Sequence, residues 1–324
     1  MSGRLGLLTL AVAAGLVAVA PVLLSTRHTA QLAVVAAYTV ATLGISLLLR
    51  QTGRSSLGQG AFMALGGYTT AILASSHGVR ELWTIPAAGG VAAAAGAIVG
   101  LVTMRLEPIS AGVVTFGAAV AAPAVALRFA GLTGGQRGLV LAARPFEARH
   151  AYALAWVVAG VLFVAAWAFS RSRSARALRA LRDSPRDAAA SGLGRASHAA
   201  LAFGLSGAYG GIAGSLLVIE LGRAEPGQFP LRLSLVLLAG AAVGGLGSIW
   251  GALPAALLVR YADQLAGSFP HARSGQVGPG TFLLGAGVVV AVLAGSAAAA
   301  LGRRSRRQRA GDRAEVLGQA PSGE

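Results

Sequence analysis

The sequence contains no cysteine and no lysine, and charged residues make up only 12% of its 324 residues. The missing cysteine excludes disulfide bonds, thiol catalysis and cysteine-ligated metal sites. The missing lysine excludes the phosphate-binding loop G-x-x-x-x-G-K-[ST], so this chain carries no nucleotide site of that type. Because soluble domains carry about 25% charged residues, the low charge also argues against a soluble globular protein.

Long apolar runs take the place of the missing charge and recur along the whole chain. Hydrophobic residues make up 55% of the sequence, and the mean hydropathy is +0.68. Each run is close to the roughly 20 residues that a helix needs to cross the hydrocarbon core of a bilayer. Examples are Leu5–Leu24, Gln31–Leu49, Ala87–Val102, Ala151–Phe169 and Thr281–Leu301. The composition therefore predicts an all-α polytopic membrane protein.

The basic residues are all arginines, and they give the chain a net charge of +16. Two groups stand out, one in the loop 171–186 and one in the tail 303–313. Because cytoplasmic loops concentrate basic residues, both groups are expected to face the cytoplasm. The tail 303–324 is predicted to be disordered. We interpret it as a topology anchor that touches anionic membrane lipid rather than as a nucleic-acid-binding segment, and no nucleic-acid partner is expected.

The apolar runs can be threaded through a bilayer as about ten helices, with both termini in the cytoplasm. The turns that carry Arg50, Arg54 and Arg105 then also face the cytoplasm, as the positive-inside rule favours. The loop 131–150 falls on the outer side although it contains three arginines. The predicted spans are Leu5–Leu24, Gln31–Leu49, Ser56–Ala74, Thr84–Met104, Pro108–Phe129, Ala151–Phe169, His198–Ile219, Phe229–Val243, Ser248–Ala262 and Gly280–Leu301.

Two spans are short and meet at the sequence GGLGS of residues 244–248. Short or glycine-interrupted spans of transporters are often broken helices that line a cavity, so a broken pair is predicted here. The first apolar run has the charge pattern of a signal peptide, but Pro21 directly follows its small residues. A proline at that position makes cleavage unfavourable, and we interpret the run as a retained helix.

The span 56–74 contains many polar and small residues for a lipid-embedded helix. Its glycines can let neighbouring helices approach closely, which is how membrane helices pack without a hydrophobic driving force. The side-chain amide of Gln59 needs hydrogen-bond partners, so it is expected to face the bundle interior or a watery path. A packing role and a path-lining role both stay open for this segment.

The loop 171–194, RSRSARALRALRDSPRDAAASGLG, is predicted to form two helices separated by a break. Leu178 and Leu181 share one face of the first helix, and arginines occupy another face. The sequence Asp-Ser-Pro that follows ends this helix and caps a second one, which stops near Gly192. Such a loop either fixes the topology through its charge or docks a cytoplasmic partner.

This loop and the helix that follows it resemble the branched-chain amino acid ABC transporter permeases of the LivM type. Three more segments resemble motifs of that family: GRSSLGQGAFMALGGYTTAIL at 53–73, GLTGGQRGL at 131–139 and GGLGSIWGAL at 244–253. The four matches lie in the family's order. Gln59 stands where the family often has His, so the resemblance does not carry a shared polar contact to that position.

The resemblance implies a permease subunit of a binding-protein-dependent ABC importer in the bacterial inner membrane, with a type II-like permease bundle. The implied partners are a second, LivH-like permease, two ATP-binding subunits and an extracytoplasmic substrate-binding protein. ATP and Mg²⁺ would be bound by the ATP-binding subunits, and this chain would hold no cofactor or metal. Residues 1–302 would form the permease domain, with an ATPase-coupling loop at 171–197.

Two sets of candidate site residues follow from the resemblance and the loop pattern. The coupling set is expected to seat in a groove of the ATPase and to be oriented by paired charges; ATP-driven closure would then move the loop and rock the bundle. This set is Arg179, Arg182, Asp183, Pro185, Asp187, Ala189 and Gly192. The set expected to line the translocation path is Gln59, Phe62, Tyr68, Gly245 and Ser248.

The expected cargo is a branched-chain amino acid, but urea, short-chain amides and other amino acids fit the same pattern. A secondary carrier should bury an ionisable residue near the bilayer midplane, and none of the predicted spans has one there. A membrane-embedded enzyme would need a catalytic cluster, whereas the five histidines are dispersed without ligand spacing. A structural scaffold would not need broken helices. No catalytic residue is therefore expected.

Overall fold

The structure is a computed structural model that describes residues 25–103, 106, 108–141, 148–245 and 247–267. These residues form a helical bundle with one two-stranded sheet and three short 3₁₀ turns. The helices are α1 (Thr26–Thr52), α2 (Gln59–His77), α3 (Glu81–Thr103), α4 (Pro108–Arg128), α5 (Ala130–Thr133), α6 (Ala148–Arg171), α7 (Arg173–Asp183), α8 (Pro185–Ala190), α9 (Arg195–Leu221), α10 (Leu231–Val243) and α11 (Ala252–Gly267). The strands are β1 (Leu139–Val140) and β2 (Arg223–Ala224), and the 3₁₀ turns are Gly135–Arg137, Pro226–Gln228 and Ile249–Gly251.

The predicted spans between residues 31 and 262 coincide with described helices, namely α1 to α4, α6 and α9 to α11. Five described helices are long and apolar enough to cross a membrane, and the bent pair 112–137 can make a sixth crossing. The all-α polytopic fold class is therefore confirmed. The first and last predicted spans and the tail 303–324 lie outside the described residues, so the total of ten stays a prediction.

Helix α9 lies at the centre of the bundle and packs against α1, α2 and α3. Its most apolar segment is 83% buried. Small residues make this burial possible, because a Cβ on Gly211 would collide with the carbonyl oxygen of Ala88 in α3. A Cβ on Gly214 would collide in the same way with the carbonyl oxygen of Met63 in α2. The core of the bundle is therefore built on backbone-to-backbone contact.

Buried hydroxyl groups add hydrogen bonds between the packed helices. Thr70 in α2 donates to Ser215 Oγ in α9 over 2.7 Å. The hydroxyl of Tyr209, also in α9, donates to the carbonyl oxygen of Leu162 in α6 over 2.8 Å. Such bonds are individually worth about 1 kcal/mol in membrane proteins, so they orient the helices more than they hold them together.

Helix α2 contains the polar segment that is unusual for a lipid-embedded helix, and it is not among the five most apolar helices. Gln59, Tyr68 and Thr70 are all buried in it. The helix packs against α9 and α3, so protein rather than lipid surrounds these side chains. Low hydropathy is compatible with this position because Gln59 and Thr70 find hydrogen-bond partners inside the bundle, whereas the hydroxyl of Tyr68 is buried without one.

The described connecting segments include two groups, one near each end of the long helix α9. At one end, Arg54 after α1 donates to the carbonyl oxygens of Thr103 and Leu106 after α3, over 2.6 and 3.1 Å. Helix α7 lies at this same end, which we call the coupling end. At the other end, β1 pairs antiparallel with β2 and joins the loop after α5 to the turn after α9.

Two crossings are interrupted. The segments 112–128 and 130–137 meet at an angle of 86°. The predicted break between α10 and α11 is also present, since the backbone of Gly245 and Gly247 has φ of 101° and 77°, which residues other than glycine rarely adopt. A Cβ on Gly244 would collide with the backbone of Gly251, and a Cβ on Gly251 would collide with the backbone of Gly244. Glycine is required here by close approach as well as by conformation.

The substitution Gly96→Ala should destabilise the bundle, whereas Gly90→Ala on the same helix should not. A Cβ on Gly96 would collide with the carbonyl oxygen of Phe203 in α9, while one on Gly90 has no heavy atom within 4 Å. Overpacking costs about 1–3 kcal/mol, and alanine gains up to about 1 kcal/mol over glycine in an open helix position. Thermal unfolding of the two variants in detergent measures the difference; equal midpoints would contradict the close packing.

Candidate coupling site and polar interior

Helix α7 is amphipathic and lies against the bundle. It starts at a cap in which the Ser172 hydroxyl accepts a hydrogen bond from the N–H of Ala175 over 3.1 Å. Ala175 and Leu178 are buried, at 0% and 3% exposed, and Leu181 is half-buried. The leucine face that the sequence predicts is therefore the face that α7 packs on the bundle.

Two arginines of the coupling set bind α7 to the ends of bundle helices. Arg179 donates to the side-chain oxygen of Gln51 in α1 over 2.8 Å and to the carbonyl oxygen of Ser170 in α6 over 3.2 Å. Arg182 donates to the carbonyl oxygen of Arg50 over 2.7 Å. Cations at helix C-termini are favourable because carbonyl groups there lack helical partners. These contacts connect α7 directly to α1 and α6.

Asp183 forms an ion pair with Arg182, whose Nε lies 3.0 Å from the Asp183 carboxylate. Both side chains are more than a third exposed, so the pair adds little stability by itself. The prediction that Arg179, Arg182 and Asp183 pair with charges of an ATPase stays a prediction. What the structure adds is that both guanidinium groups already have partners in the bundle.

Helix α8 carries the rest of the coupling set, Pro185, Asp187 and Ala189, and it is closed by Gly192. Asp187 is exposed, while Ala188 is buried at 5% exposed. Gly192 has φ of 78°, and the N–H of Leu193 donates to the carbonyl oxygen of Ala188 over 3.1 Å. This is the Schellman arrangement that ends helices at a left-handed glycine. The two helices separated by a break that the sequence predicts are present, and α8 exposes the acidic side chain of Asp187.

The path set begins with Gln59, which is fully buried at the start of α2. Its side-chain nitrogen donates to the carbonyl oxygen of Ala41 in α1 over 3.1 Å and to that of Ser206 in α9 over 3.4 Å. The Ser206 hydroxyl donates back to the Gln59 side-chain oxygen over 3.4 Å. Gln59 thus faces the bundle interior, one of the two environments expected for it, and joins three helices.

The five path residues do not converge on one point. Phe62 lies beside Gln59, and both contact Gly210 of α9. Tyr68 is more than two turns further along α2 and contacts the ring of Phe229, with centroids 6.3 Å apart. The remaining two members, Gly245 and Ser248, lie together in the turn between α10 and α11, where the Ser248 N–H donates to the Gly245 carbonyl oxygen over 2.7 Å. A path-lining role for the set stays a prediction.

Sequence reasoning missed three residues that organise the coupling end: Gln51, Ser170 and Arg54. Gln51 and Ser170 supply the acceptors for Arg179, and Arg54 joins the turn after α1 to the segment after α3. Burial, and then the nearby charge of Arg195, lower the pKa of Arg54. The sequence did contain a signal for Gln51 and Ser170, because each is a polar residue at the end of an apolar helix. The arginine-rich loop begins directly after Ser170. Among the described residues, no three His, Asp or Glu side chains are placed to hold a metal ion.

The chain is similar in sequence to two curated transport proteins. The chain is 28% identical to the high-affinity branched-chain amino acid transport system permease protein LivM of Escherichia coli (strain K12). It is 27% identical to the protein of the same name from Salmonella typhimurium. Each alignment covers 262 residues, 72% of this chain and 62% of the relative. The chain thus spans less than two thirds of the curated relatives that it matches.

No solved structure matches the chain. The family described as "Branched-chain amino acid transport system / permease component" matches residues 29–277. This region runs from α1 to beyond α11 and includes the coupling end, the polar interior and the broken pair of helices. The match covers well over half of the sequence, and the chain therefore belongs to this family of transport-system permeases.

Proposed function

We propose that the chain is a membrane-spanning permease subunit of a binding-protein-dependent ABC importer for branched-chain amino acids, energised by separate ATP-binding subunits. The observation that carries this proposal is the attachment of α7 to the C-terminal ends of α1 and α6 in a chain of the permease family. A loop that only fixed topology through its charge would not need two arginines bonded to the bundle. A loop that transmits force needs such an attachment.

The two short helices have different roles in coupling ATP hydrolysis to movement of the bundle. Helix α8 offers the docking surface to an ATP-binding subunit, with Asp187 exposed and Gly192 fixing the end of the helix. Helix α7 passes the displacement on through Arg179 and Arg182 to the ends of α1 and α6. Because α1 packs on the central helix α9, a movement of α8 can reach the core and rock the bundle between inward- and outward-facing states.

This chain and a second permease of the same kind would together form the path for the cargo. The polar residues of α2 supply hydrogen-bonding groups inside the bundle, and α10 and α11 supply irregular backbone at the turn 244–248. Selection of the cargo is left to an extracytoplasmic binding protein. The proposed location is the bacterial inner membrane. The coupling end would face the cytoplasm, because it carries the arginine-rich loop and cytoplasmic loops concentrate basic residues.

Vesicles that contain this chain, its sister permease and the ATP-binding subunits should take up labelled leucine only when ATP and the binding protein are both present. Uptake under those conditions alone would support both the importer and its cargo. Binding-protein-stimulated ATP hydrolysis without leucine uptake would keep the importer and replace the cargo by urea, a short-chain amide or another amino acid. If the assembled complex shows neither leucine uptake nor binding-protein-stimulated ATP hydrolysis, the proposal is overturned.

Arg179→Gln should lower transport more than ATP hydrolysis. A hydrogen bond from a charged donor contributes about 1.5–3 kcal/mol, so its loss should cut uptake roughly tenfold or more while the assembled complex still hydrolyses ATP. The matched control is Arg173→Gln on the same helix, since Arg173 is exposed at the start of α7. The two variants would be compared by uptake per ATP hydrolysed. Equal uptake per ATP hydrolysed in the two variants would argue against transmission of movement through Arg179.

Gly192→Ala should weaken docking of the ATP-binding subunits, whereas Gly192→Asn should preserve it. A Cβ at this position has open space around it, so the cost is that of the left-handed backbone, about 1–2 kcal/mol for alanine. Asparagine tolerates this conformation better. Co-purification of the ATP-binding subunits with each variant measures the effect, and a several-fold loss is expected for alanine. If both variants retain the subunits like the unmodified chain, the end of α8 does not direct docking.

A further inference from the structure

A cavity of about 80 Å³ lies at the coupling end between α7, the turn after α1 and the first turn of α9. Its walls include Arg54, Arg182, Arg195 and His198, and its apolar floor includes Leu178 and Phe203. Leu178 and Phe203 are 3% and 1% exposed, so the floor is part of the packed bundle. The volume suits a small tetrahedral oxyanion together with water.

Positive charge in this cavity exceeds the negative charge available to balance it. Three arginine side chains line the space, and the one carboxylate bonded to them in the described part of the chain is Asp183, which pairs with Arg182. Arg54 and Arg195 lie close enough for the charge of Arg195 to lower the pKa of Arg54. Two like charges held close together repel each other, and an anion between them would relieve that repulsion.

Two of the three arginines, Arg54 and Arg182, are held in place by contacts that leave N–H donors available. Arg54 uses two of its five N–H donors on carbonyl oxygens. The Nδ1 of His198 lies 2.7 Å from the carbonyl oxygen of Gly194, and because a carbonyl only accepts, Nδ1 carries the proton. The first N–H groups of α9 lie at the same place and lack helical acceptors. Ordered cations beside a helix N-terminus are well suited to a phosphate group.

We propose that this cavity binds a phosphate group, held between Arg54, Arg182 and Arg195, which joins α7 to the first turn of α9. The proposal goes beyond the proposed transport function and does not depend on the cargo. The phosphate can come from the headgroup of an anionic phospholipid, because basic pockets between helix ends at the cytoplasmic surface attract such headgroups. It can also be free inorganic phosphate, and the two sources are separable by experiment.

The test uses the full chain purified into nanodiscs of phosphatidylcholine, with and without phosphatidylglycerol. Inorganic phosphate would be titrated into the phosphatidylcholine discs at constant ionic strength, with the thermal unfolding midpoint as the readout. Native mass spectrometry of protein released from the mixed discs would count retained phosphatidylglycerol. The variants are Arg195→Gln, Arg195→Lys and, as a matched control, Arg173→Gln, which removes an exposed arginine from the same end of the molecule outside the cavity.

A phosphate-dependent rise in the midpoint would identify free phosphate, and retained phosphatidylglycerol without that rise would identify the headgroup. In either case, Arg195→Gln should weaken binding roughly tenfold or more, because it removes a charge-assisted contact. Arg195→Lys should keep most of the binding, and Arg173→Gln should behave as the unmodified chain. Equal binding by the unmodified chain and Arg195→Gln, or binding of neither ligand, would overturn the proposal. These measurements do not require transport, so they test the phosphate site even if the proposed importer function is wrong.

Discussion

Backbone contact between α9 and its neighbours is the constraint on which the rest of the structure depends. Glycines in α9, α3 and α2 remove the side chains that would hold the helices apart, and carbonyl oxygens occupy the space that a Cβ would need. Lipid offers no hydrophobic force between helices, so close van der Waals contact must supply the association. Once α9 is fixed in this way, the polar groups of α2 are enclosed by protein, and Gln59 can satisfy its amide on two other helices.

The arginines act at a second level, on the positions of helix ends rather than on the core. Arg54, Arg179 and Arg182 all donate to acceptors in other helices or turns, and most of those acceptors are terminal carbonyl oxygens. Guanidinium groups suit this task because several N–H donors diverge from one planar group. The coupling end is consequently a connected network in which α7 is bound to α1 and α6, and the turns after α1 and α3 are bound to each other.

The sequence predicted those features that rest on composition and local chemistry. Long apolar runs located the membrane-spanning helices between residues 31 and 262, and GGLGS marked the break between α10 and α11. The sequence Asp-Ser-Pro marked the division between α7 and α8. Partner choice could not be predicted in the same way, since a long arginine side chain can reach in many directions. The inward contacts of Arg179 and Arg182 depend on where α1 and α6 end, which only the packed bundle determines.

The short sheet lies at the end opposite α7, so the two ends of the molecule are held by different kinds of contact. Its two strands have two residues each and pair Leu139 with Ala224 and Val140 with Arg223, and a sheet of this size is marginal by itself. Charge-assisted bonds from arginines hold the coupling end, whereas the far end is held by this strand pair and by buried apolar residues such as Leu141 and Ala224, which are 5% and 0% exposed. Under the proposed coupling, a displacement of α8 would reach the far end only through the long helices α1 and α9. The two ends of the molecule are thus fastened by different chemistry, by guanidinium groups at one and mainly by apolar side chains and a short strand pair at the other.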